Sequence, residues 1–184
     1  MSAIKDKAHH NISIINKKYD LTIDAKETIL NSNNSALVLN ICNNMNTYGA
    51  GFNKVISQHF PIAKENYHLI GSTKLRTSLG HTQFVKAVID KKYKNEIIVA
   101  NMICQTGIMS STNPRPINYC FLGLCLAKVQ SYVKQYMSEN DLPIKIMSPK
   151  FHGSVTGTNW PFVYELILDT IRKPQHTYVY ESYN

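Results

Sequence analysis

The residues best suited to chemistry lie between Asn40 and Gly51, where an apolar run gives way to polar side chains and glycines. Four asparagines follow the apolar run, at positions 40, 43, 44 and 46. The sequence Gly-Ala-Gly at 49–51 then precedes a helix-like pattern. Glycines let backbone N–H groups approach an anion closely, and a helix N-terminus adds partial positive charge. The junction therefore indicates a phosphate site, although a plain tight turn explains the two glycines equally well.

A second loop of similar character covers residues 149–159, again between a strand-like and a helix-like segment. Its glycines and hydroxyl side chains are Gly153, Ser154, Thr156, Gly157 and Thr158. Such residues can surround a diphosphate with N–H and O–H donors. The first loop lacks the third glycine of a dinucleotide fingerprint, and the chain contains no P-loop motif. Two such loops at neighbouring strand ends nevertheless favour a binding function over two structural turns.

The segments that must position these loops alternate between strand-like and helix-like patterns. Strands are predicted at 11–16, 36–41, 82–89, 95–104, 143–148 and 176–181. Helices are predicted at 24–34, 53–59, 61–70, 113–137 and 161–171. The apolar face predicted for the longest helix comprises Ile117, Phe121, Leu124, Cys125, Tyr132, Val133 and Tyr136. This alternation predicts an α/β sandwich with a largely parallel central sheet, in which ligands bind at the carboxyl ends of the strands.

The composition is that of a globular protein, with 184 residues, 43% of them hydrophobic and 17% charged. This length predicts one domain over residues 1–184, with residues 1–10 as a loose tail. No apolar run approaches the roughly 20 residues of a membrane span, and the N-terminus lacks the apolar core of a signal peptide. A cytoplasmic location is expected, in the host cytoplasm if the source is a virus, with no membrane partner.

The spacing of the cysteines, histidines and basic residues limits which ligands the chain is expected to bind. No cysteine pair has C-x-x-C spacing and the seven histidines do not cluster, so we expect neither a metal site nor a cofactor. The formal net charge of +8 is compatible with a nucleic-acid partner, but the basic residues are scattered, as on a solvated surface. The charge also suits a ligand that carries phosphate.

Both loops resemble those of one known family. The stretch "LNICNNMNTYGAGFNKVISQHFPIAKENY" resembles the first ligand loop of macro domains, and "SPKFHGSVTGTNWPFVYELI" resembles their second loop. Between them, "LGHTQFVKAVI", "IIVANMICQTGI" and "PINYCFLGLCLAKV" resemble the middle of the branch that contains ADP-ribose-1″-phosphate phosphatases and related ADP-ribosyl hydrolases. The resemblance covers roughly residues 11–181. It implies a three-layer α/β/α macro-domain sandwich with a mixed, largely parallel central sheet.

The same resemblance implies roles for individual residues. Asp20 would accept the adenine amino group, although a turn or helix-cap aspartate is the plain alternative. Asn40 and Asn43 would end the buried strand, with Asn43 directed at the distal ribose. The distal ribose and one side of the diphosphate would be lined by Gly49, Ala50, Gly51 and Phe52. The diphosphate loop would comprise Ser154, Val155, Thr156, Gly157 and Thr158. Tyr48 and Phe52 are candidates for stacking on a ribose or base, and Gln105 for reaching the cleft, where a loop cap is equally expected.

The catalytic machinery is less well defined than the binding loops. Asn44 stands where relatives of this branch often carry an acidic residue, so a candidate general base is missing. His152 titrates near neutrality and could donate a proton to a leaving group, or it could simply hydrogen-bond the loop backbone. An attacking water would be held by Asn43 and the glycine turn. Asn43 and His152 are therefore the candidate catalytic residues.

Three functions remain open from the sequence. The resemblance implies binding of ADP-ribose or ADP-ribose 1″-phosphate, with removal of the 1″-phosphate or cleavage of ADP-ribose from a modified protein or nucleic acid. The alternative is a non-catalytic reader or sequestering module that uses the same pocket. A basic nucleic-acid-binding domain is the third, and it would bind with strong salt dependence. A monomer is expected in each case.

Overall fold

A computed structural model describes residues 11–92, 94–151 and 157–182, without the side chains of residues 16–19 and 182. The expected N-terminal tail lies outside the described residues. The chain forms six strands and six helices within these ranges, in the order β1 (Ile12–Asp20), α1 (Leu21–Asn31), β2 (Ser35–Asn43), α2 (Phe52–His59), α3 (Pro61–Leu69), α4 (Ser72–Arg76), β3 (His81–Ile89), β4 (Glu96–Gln105), α5 (Tyr119–Asn140), β5 (Ile144–Pro149), α6 (Trp160–Thr170) and β6 (Thr177–Ser182).

The strands form one six-stranded sheet in the order β1-β6-β5-β2-β4-β3. Every neighbouring pair is parallel except β3 and β4, which are antiparallel with Val85 opposite Val99. The carboxyl ends of the five parallel strands therefore meet at one side of the sheet, which we name the carboxyl edge. The opposite side is the amino edge. The predicted mixed, largely parallel sheet is confirmed.

Helices cover both faces of the sheet because the central strands are apolar on both sides. In β2, Leu37 and Leu39 pack with α5 and α6, whereas Ala36 and Val38 pack with α1, α2 and α3. Every residue of β2 and β4 is buried. The result is the predicted three-layer α/β/α arrangement.

Two helix starts show how the chain enters these layers. The Asp20 side chain accepts hydrogen bonds from the backbone N–H groups of Thr22 and Ile23, so α1 begins three residues earlier than predicted. Asn118 caps α5 in the same way, and Pro61 occupies the first turn of α3. These are favoured residues for helix N-termini.

The predicted apolar face of α5 was wrong at two positions, because Leu124 is exposed and Ile117 precedes the helix, which begins at Tyr119 rather than at residue 113. Leu124 is 55% exposed and lies beside Gly80 rather than facing the sheet. The buried face comprises Leu122, Cys125, Leu126, Val129, Val133 and Tyr136. These residues follow one helical stripe, whereas Leu124 is rotated about 200° from Leu122 around the helix. The short helix α4 was not predicted at all.

Membrane-spanning helices and metal-binding clusters are both absent from the described residues. None of the described helices is both long and apolar enough to cross a membrane. Among the same residues, no three histidine, cysteine or acidic side chains come together in a group that could hold a metal ion.

Candidate ligand-binding cleft

An open cavity of about 450 Å³ lies at the carboxyl edge, beside the ends of β2 and β4. Its described lining comprises Asn43, Thr47, Gly49, Ala50, Asn53, Gln105, Ile108 and Met109. Four of these were predicted from the sequence, namely Asn43, Gly49, Ala50 and Gln105. The structure thus brings the end of β2, the glycine turn and the end of β4 together around one cleft.

Asn43 organises the loop that leaves β2. Its side-chain oxygen accepts a hydrogen bond from the backbone N–H of Met45 at 2.8 Å, and its Nδ2 donates to the carbonyl oxygen of Thr47 at 2.9 Å. The Tyr67 hydroxyl donates to the Asn43 carbonyl oxygen at 2.7 Å. An asparagine that bonds the backbone a few residues on is a standard device for a tight turn. Asn43 therefore shapes the cleft wall as well as lining it.

Asn44 connects this loop to the one that follows β4. Its Oδ1 accepts a hydrogen bond from the backbone N–H of Gly107 at 2.9 Å, and its own N–H donates to the carbonyl of Gln105 at 3.0 Å. Asn44 is only 8% exposed. In the branch that the sequence resembles, an acidic residue at this position would be the candidate general base. Asn44 instead joins two loops.

The glycine turn opens the start of α2 toward the cleft. Gly51 precedes the helix with φ 55° and ψ −136°, a conformation that side chains other than glycine rarely adopt. Among the described residues, no side chain forms a capping hydrogen bond at the N-terminus of α2. A helix N-terminus of this kind carries N–H donors and partial positive charge. The predicted anion-binding character of this turn thus has a structural basis.

The second loop is described at residues 149–151 and 157–159. Gly157 has φ +62°, and a Cβ there would lie 2.8 Å from both the Arg115 Cα and the Pro114 carbonyl oxygen. The loop therefore packs against the segment before α5 where only glycine fits. Thr158 is half-buried. The remaining predicted residues of this loop, His152, Ser154, Val155 and Thr156, lie outside the described residues.

A buried polar network lies beneath the cleft. The two hydrogens of Asn40 Nδ2 are shared among three acceptors, the Tyr48 hydroxyl and Asn53 Oδ1 at 2.8 Å and Asn101 Oδ1 at 3.0 Å. Burial and the nearby Cys42 thiol raise the pKa of Tyr48, so its hydroxyl is a neutral donor, here to Asn101 Oδ1 at 2.9 Å. Asn40 and Tyr48 were predicted to touch a ligand. The structure places both below the described wall instead, where they support it.

Comparison with known proteins identifies the fold. No protein-family model matches the sequence, and no curated protein matches it significantly. A solved Bacteroides thetaiotaomicron protein of unknown function is 24% identical, with a TM-score of 0.74 over 95% of this chain and 99% of that one. A macrodomain protein from Streptomyces coelicolor is 25% identical, with a TM-score of 0.61 over 81% of this chain and 89% of that one. The chain has the macrodomain fold.

A third structurally similar protein was solved with a ligand. Thermosipho africanus DarTG, solved in complex with ADP-ribose, is 13% identical, with a TM-score of 0.62 over 95% of this chain and 42% of that one. The resemblance seen in the sequence is thus confirmed at the level of the macrodomain fold. The particular branch of phosphatases and hydrolases is not decided by these matches.

Two residues predicted to contact the ligand, Asp20 and Phe52, do not line the described cavity. Asp20 ends β1, three strands away from β2 and therefore roughly 14 Å along the carboxyl edge. Its Oδ1 accepts hydrogen bonds from the backbone N–H and the hydroxyl of Thr22. Asp20 is therefore the helix-cap aspartate that was predicted as the alternative to an adenine-binding residue. Phe52 is 8% exposed and packs in the apolar core with Ile56.

Sequence reasoning missed four residues of the described wall: Thr47, Asn53, Ile108 and Met109. Ile108 and Met109 follow the predicted end of β4, so their position was foreseeable from Gln105. Thr47 is recruited by its hydrogen bonds with Asn43. Nothing in the sequence marked Asn53 as a cleft residue. Its position in a helix-like pattern reveals neither its buried hydrogen bonds nor its contact with the cavity.

The electrostatics of the cleft are those of neutral donors and acceptors. None of the eight described lining residues ionises at neutral pH. Burial also raises the pKa of Tyr67, which keeps this second hydroxyl neutral beneath the macrodomain's first loop. A ligand held here would be bound by amides, backbone N–H groups and the α2 dipole.

Proposed function

We propose that this macrodomain binds ADP-ribose, or a derivative of it, along the carboxyl edge of its sheet. The observation that carries the proposal is the cleft itself, where the uncapped start of α2 adjoins the amides of Asn43, Asn53 and Gln105. Such a site offers fixed N–H dipoles to a diphosphate without needing a cation. The ADP-ribose found with the structurally similar DarTG protein supports the same ligand class.

The dimensions suit a ligand with two ends. Asp20 at the end of β1 would accept the adenine amino group, and Asn43 would lie beside the distal ribose. The diphosphate would cross between the glycine turn and the second loop, which includes Gly157. This placement gives one ligand contacts at β1, β2 and β4.

Hydrolysis is the finer proposal. The substrate would be ADP-ribose 1″-phosphate or an ADP-ribosylated molecule, with a water positioned by Asn43 and with His152 as the proton donor. The described wall contains no acid or base, and Asn44 is engaged with Gly107. These observations favour the second candidate, a module that reads or sequesters ADP-ribose without turnover, unless His152 supplies the chemistry.

Calorimetry with two matched variants tests binding. Ala50 is exposed at the cleft and belongs to no buried network, so its replacement leaves the fold intact. Wild-type protein is expected to bind ADP-ribose with a Kd below about 1 mM. Ala50→Glu should weaken binding by at least about ten-fold, because a carboxylate then faces the phosphates. Ala50→Gln has the same length without the charge and should stay within about three-fold of wild type.

The calorimetric outcomes separate the candidates. No saturable heat with ADP-ribose contradicts the proposal. Binding to RNA or DNA that falls steeply with salt, without ADP-ribose binding, would identify the basic nucleic-acid domain instead.

Turnover is tested by incubating the protein with ADP-ribose 1″-phosphate and measuring released phosphate. Release that is lost in His152→Ala supports hydrolysis through this residue. Binding without release supports the reader, and release that survives in His152→Ala assigns the proton transfer elsewhere.

A further inference from the structure

Asn53 combines a place in the cleft wall with a side chain that is fixed from below. It is the second residue of α2, beside the Gly51 turn, and it lines the cavity at the carboxyl edge. It is 9% exposed, so most of its surface contacts protein. As part of the cavity lining at the first turn of α2, it lies where a helix N-terminus carries partial positive charge.

Three contacts fix the orientation of the Asn53 amide. Its Oδ1 points inward and accepts from Asn40 Nδ2 at 2.8 Å and from the Cys42 thiol at 3.6 Å. One hydrogen of its Nδ2 goes to the carbonyl oxygen of Ile41 at 3.0 Å. A flipped amide would place nitrogen against nitrogen at Asn40 and oxygen against oxygen at Ile41. Asn53 can therefore present only a donor to the cleft.

The orientation of Asn40 is fixed in turn by Asn101 on β4. Asn40 donates to Asn101 Oδ1, and Asn101 Nδ2 donates to the backbone carbonyl of Ala63 at 2.9 Å and to Gln83 Oε1 at 3.1 Å. A backbone carbonyl can only accept, so the contact with Ala63 settles which side of the Asn101 amide is nitrogen. The orientation of the Asn101 amide then fixes that of Asn40, and Asn40 in turn fixes that of Asn53.

We propose that Asn53 binds the ligand by donating its second amide hydrogen to an acceptor oxygen of the diphosphate, with Asn40 and Asn101 as positioning residues. That hydrogen has no acceptor among the described contacts of Asn53. This inference rests on the proposed function and adds a side-chain donor to the backbone N–H groups of the glycine turn. It also gives a reason for the burial of Asn40, Asn53 and Asn101 side by side. Each amide fixes the orientation of the next, so that Asn53 is held with its Nδ2 donor toward the cleft.

Two substitutions at Asn53 separate a donor from a structural role. Asn53→Ala and Asn53→Asp both leave the Ile41 carbonyl without its donor, and only Asn53→Asp keeps an acceptor for Asn40 Nδ2. The free energies of unfolding of both variants are measured alongside, so that a loss of affinity not matched by a loss of stability reports the side that faces the ligand. Asn53→Ala should weaken ADP-ribose binding by about five- to ten-fold. Asn53→Asp should weaken it by about ten-fold more, because a carboxylate cannot donate and repels phosphate. Equal affinities in all three proteins, or tighter binding by Asn53→Asp than by Asn53→Ala, would overturn the inference.

A double-substitution cycle tests the positioning role. Asn101→Ala should weaken ADP-ribose binding in the wild-type background but have little further effect in the Asn53→Ala background. Equal effects in both backgrounds would assign Asn101 a purely structural role.

A spectroscopic measurement on the wild-type protein avoids the risk that variants fail to fold. The side-chain NH₂ signal of Asn53 in a ¹⁵N spectrum, assigned by its loss in Asn53→Ala or by through-bond transfer, should shift saturably as ADP-ribose is added. The side-chain signal of Asn66, whose amide donates to Ile62 on the surface of α3, is the control and should stay in place. Binding measured by calorimetry with an unmoved Asn53 signal contradicts this inference alone, whereas absence of binding contradicts the proposed function.

Discussion

The two edges of the sheet contain cavities of similar size but opposite chemistry. At the carboxyl edge, neutral amides and glycines surround a cavity of about 450 Å³. At the amino edge, a cavity of about 380 Å³ adjoins Lys145, His176 and Tyr178, and the ion pair of Lys86 with Glu96 lies at the start of β4. Of these two cavities, only the one at the amino edge therefore has ionisable residues in its described lining.

The difference lies in where the polar groups are directed. At the amino edge they bond to each other: Glu96 to Lys86 at 2.7 Å, and Ser13 to His176 at 2.8 Å. At the carboxyl edge the asparagines bond inward, and Asn53 alone among Asn40, Asn43, Asn53 and Asn101 has an amide hydrogen with no described acceptor. Ionisable residues therefore do not mark the candidate site in this molecule. Neutral amides of fixed direction, next to a helix N-terminus, do.

The largest expected effect is at the carboxyl side, in the network beneath the cleft. Asn101→Ala removes an acceptor from Asn40 and Tyr48 and donors from Ala63 and Gln83. Buried groups left without partners should lower the free energy of unfolding by about 3 kcal/mol, measured by urea titration. Asn66→Ala, which loses one exposed hydrogen bond, should change it by less than about 0.5 kcal/mol. A loss below 1 kcal/mol for Asn101→Ala would show that the network does little for stability.

The second loop should be almost as sensitive at its glycine. Gly157→Ala places a methyl group 2.8 Å from Pro114 and Arg115 at a positive φ, so we expect a loss of about 2 kcal/mol and weaker ADP-ribose binding. Gly49→Ala is the matched control, because a Cβ there meets no atom within 4 Å. Thermal unfolding and calorimetry measure both. Equal tolerance of the two substitutions would contradict the close packing of the second loop.

A smaller effect at the amino edge should affect stability alone. Lys86→Met removes the cation from Glu96, whose side chain is 9% exposed, and should cost about 1 kcal/mol of unfolding free energy. ADP-ribose affinity should be unchanged, since the ion pair lies at the other end of the strands. A drop in affinity without a drop in stability would mean that the two edges are coupled.

The smallest effect is a mild loss of stability in acid. Burial lowers the pKa of His68 and His176, and nearby Lys64 lowers that of His68 further. Below a pH of about 6.5 the unfolded chain therefore binds these protons before the folded chain does. The stability is complete above that pH and falls as the pH drops toward the folded pKa values. Unfolding temperatures at pH 7.5, 6.5 and 5.5 measure this, and His68→Gln should reduce the decline. A rise in stability toward pH 5.5 would contradict the direction of these pKa shifts.

Much of the fold was predictable because periodicity and turn chemistry act locally. The strands around Val38 and Val99 and the long helix before Tyr136 all carry apolar patterns that the structure confirms. Leu124 was misplaced because several apolar stripes on α5 look alike in sequence, and only packing against the sheet selects one. The α4 segment at Ser72–Arg76 is too short to show periodicity.

The candidate site was predictable at the ends of the strands but not beneath them. Gly49 and Gln105 follow from where strands stop. Asn40 and Asn101 lie opposite each other in the parallel register, and their shared face depends on a pairing that no local pattern reveals. Asn53 depends on both of them. Long-range register therefore explains why the donor was missed while the cleft was found.

The central claim is that ADP-ribose binds at the carboxyl edge and not at the amino edge. It is tested most directly by following backbone ¹⁵N signals while ADP-ribose is added to the wild-type protein. We expect saturable shifts at Gly49, Ala50 and Gln105, with Lys145 and Tyr178 unchanged. Shifts confined to Lys145 and Tyr178, or no saturable shift at all, would contradict the account.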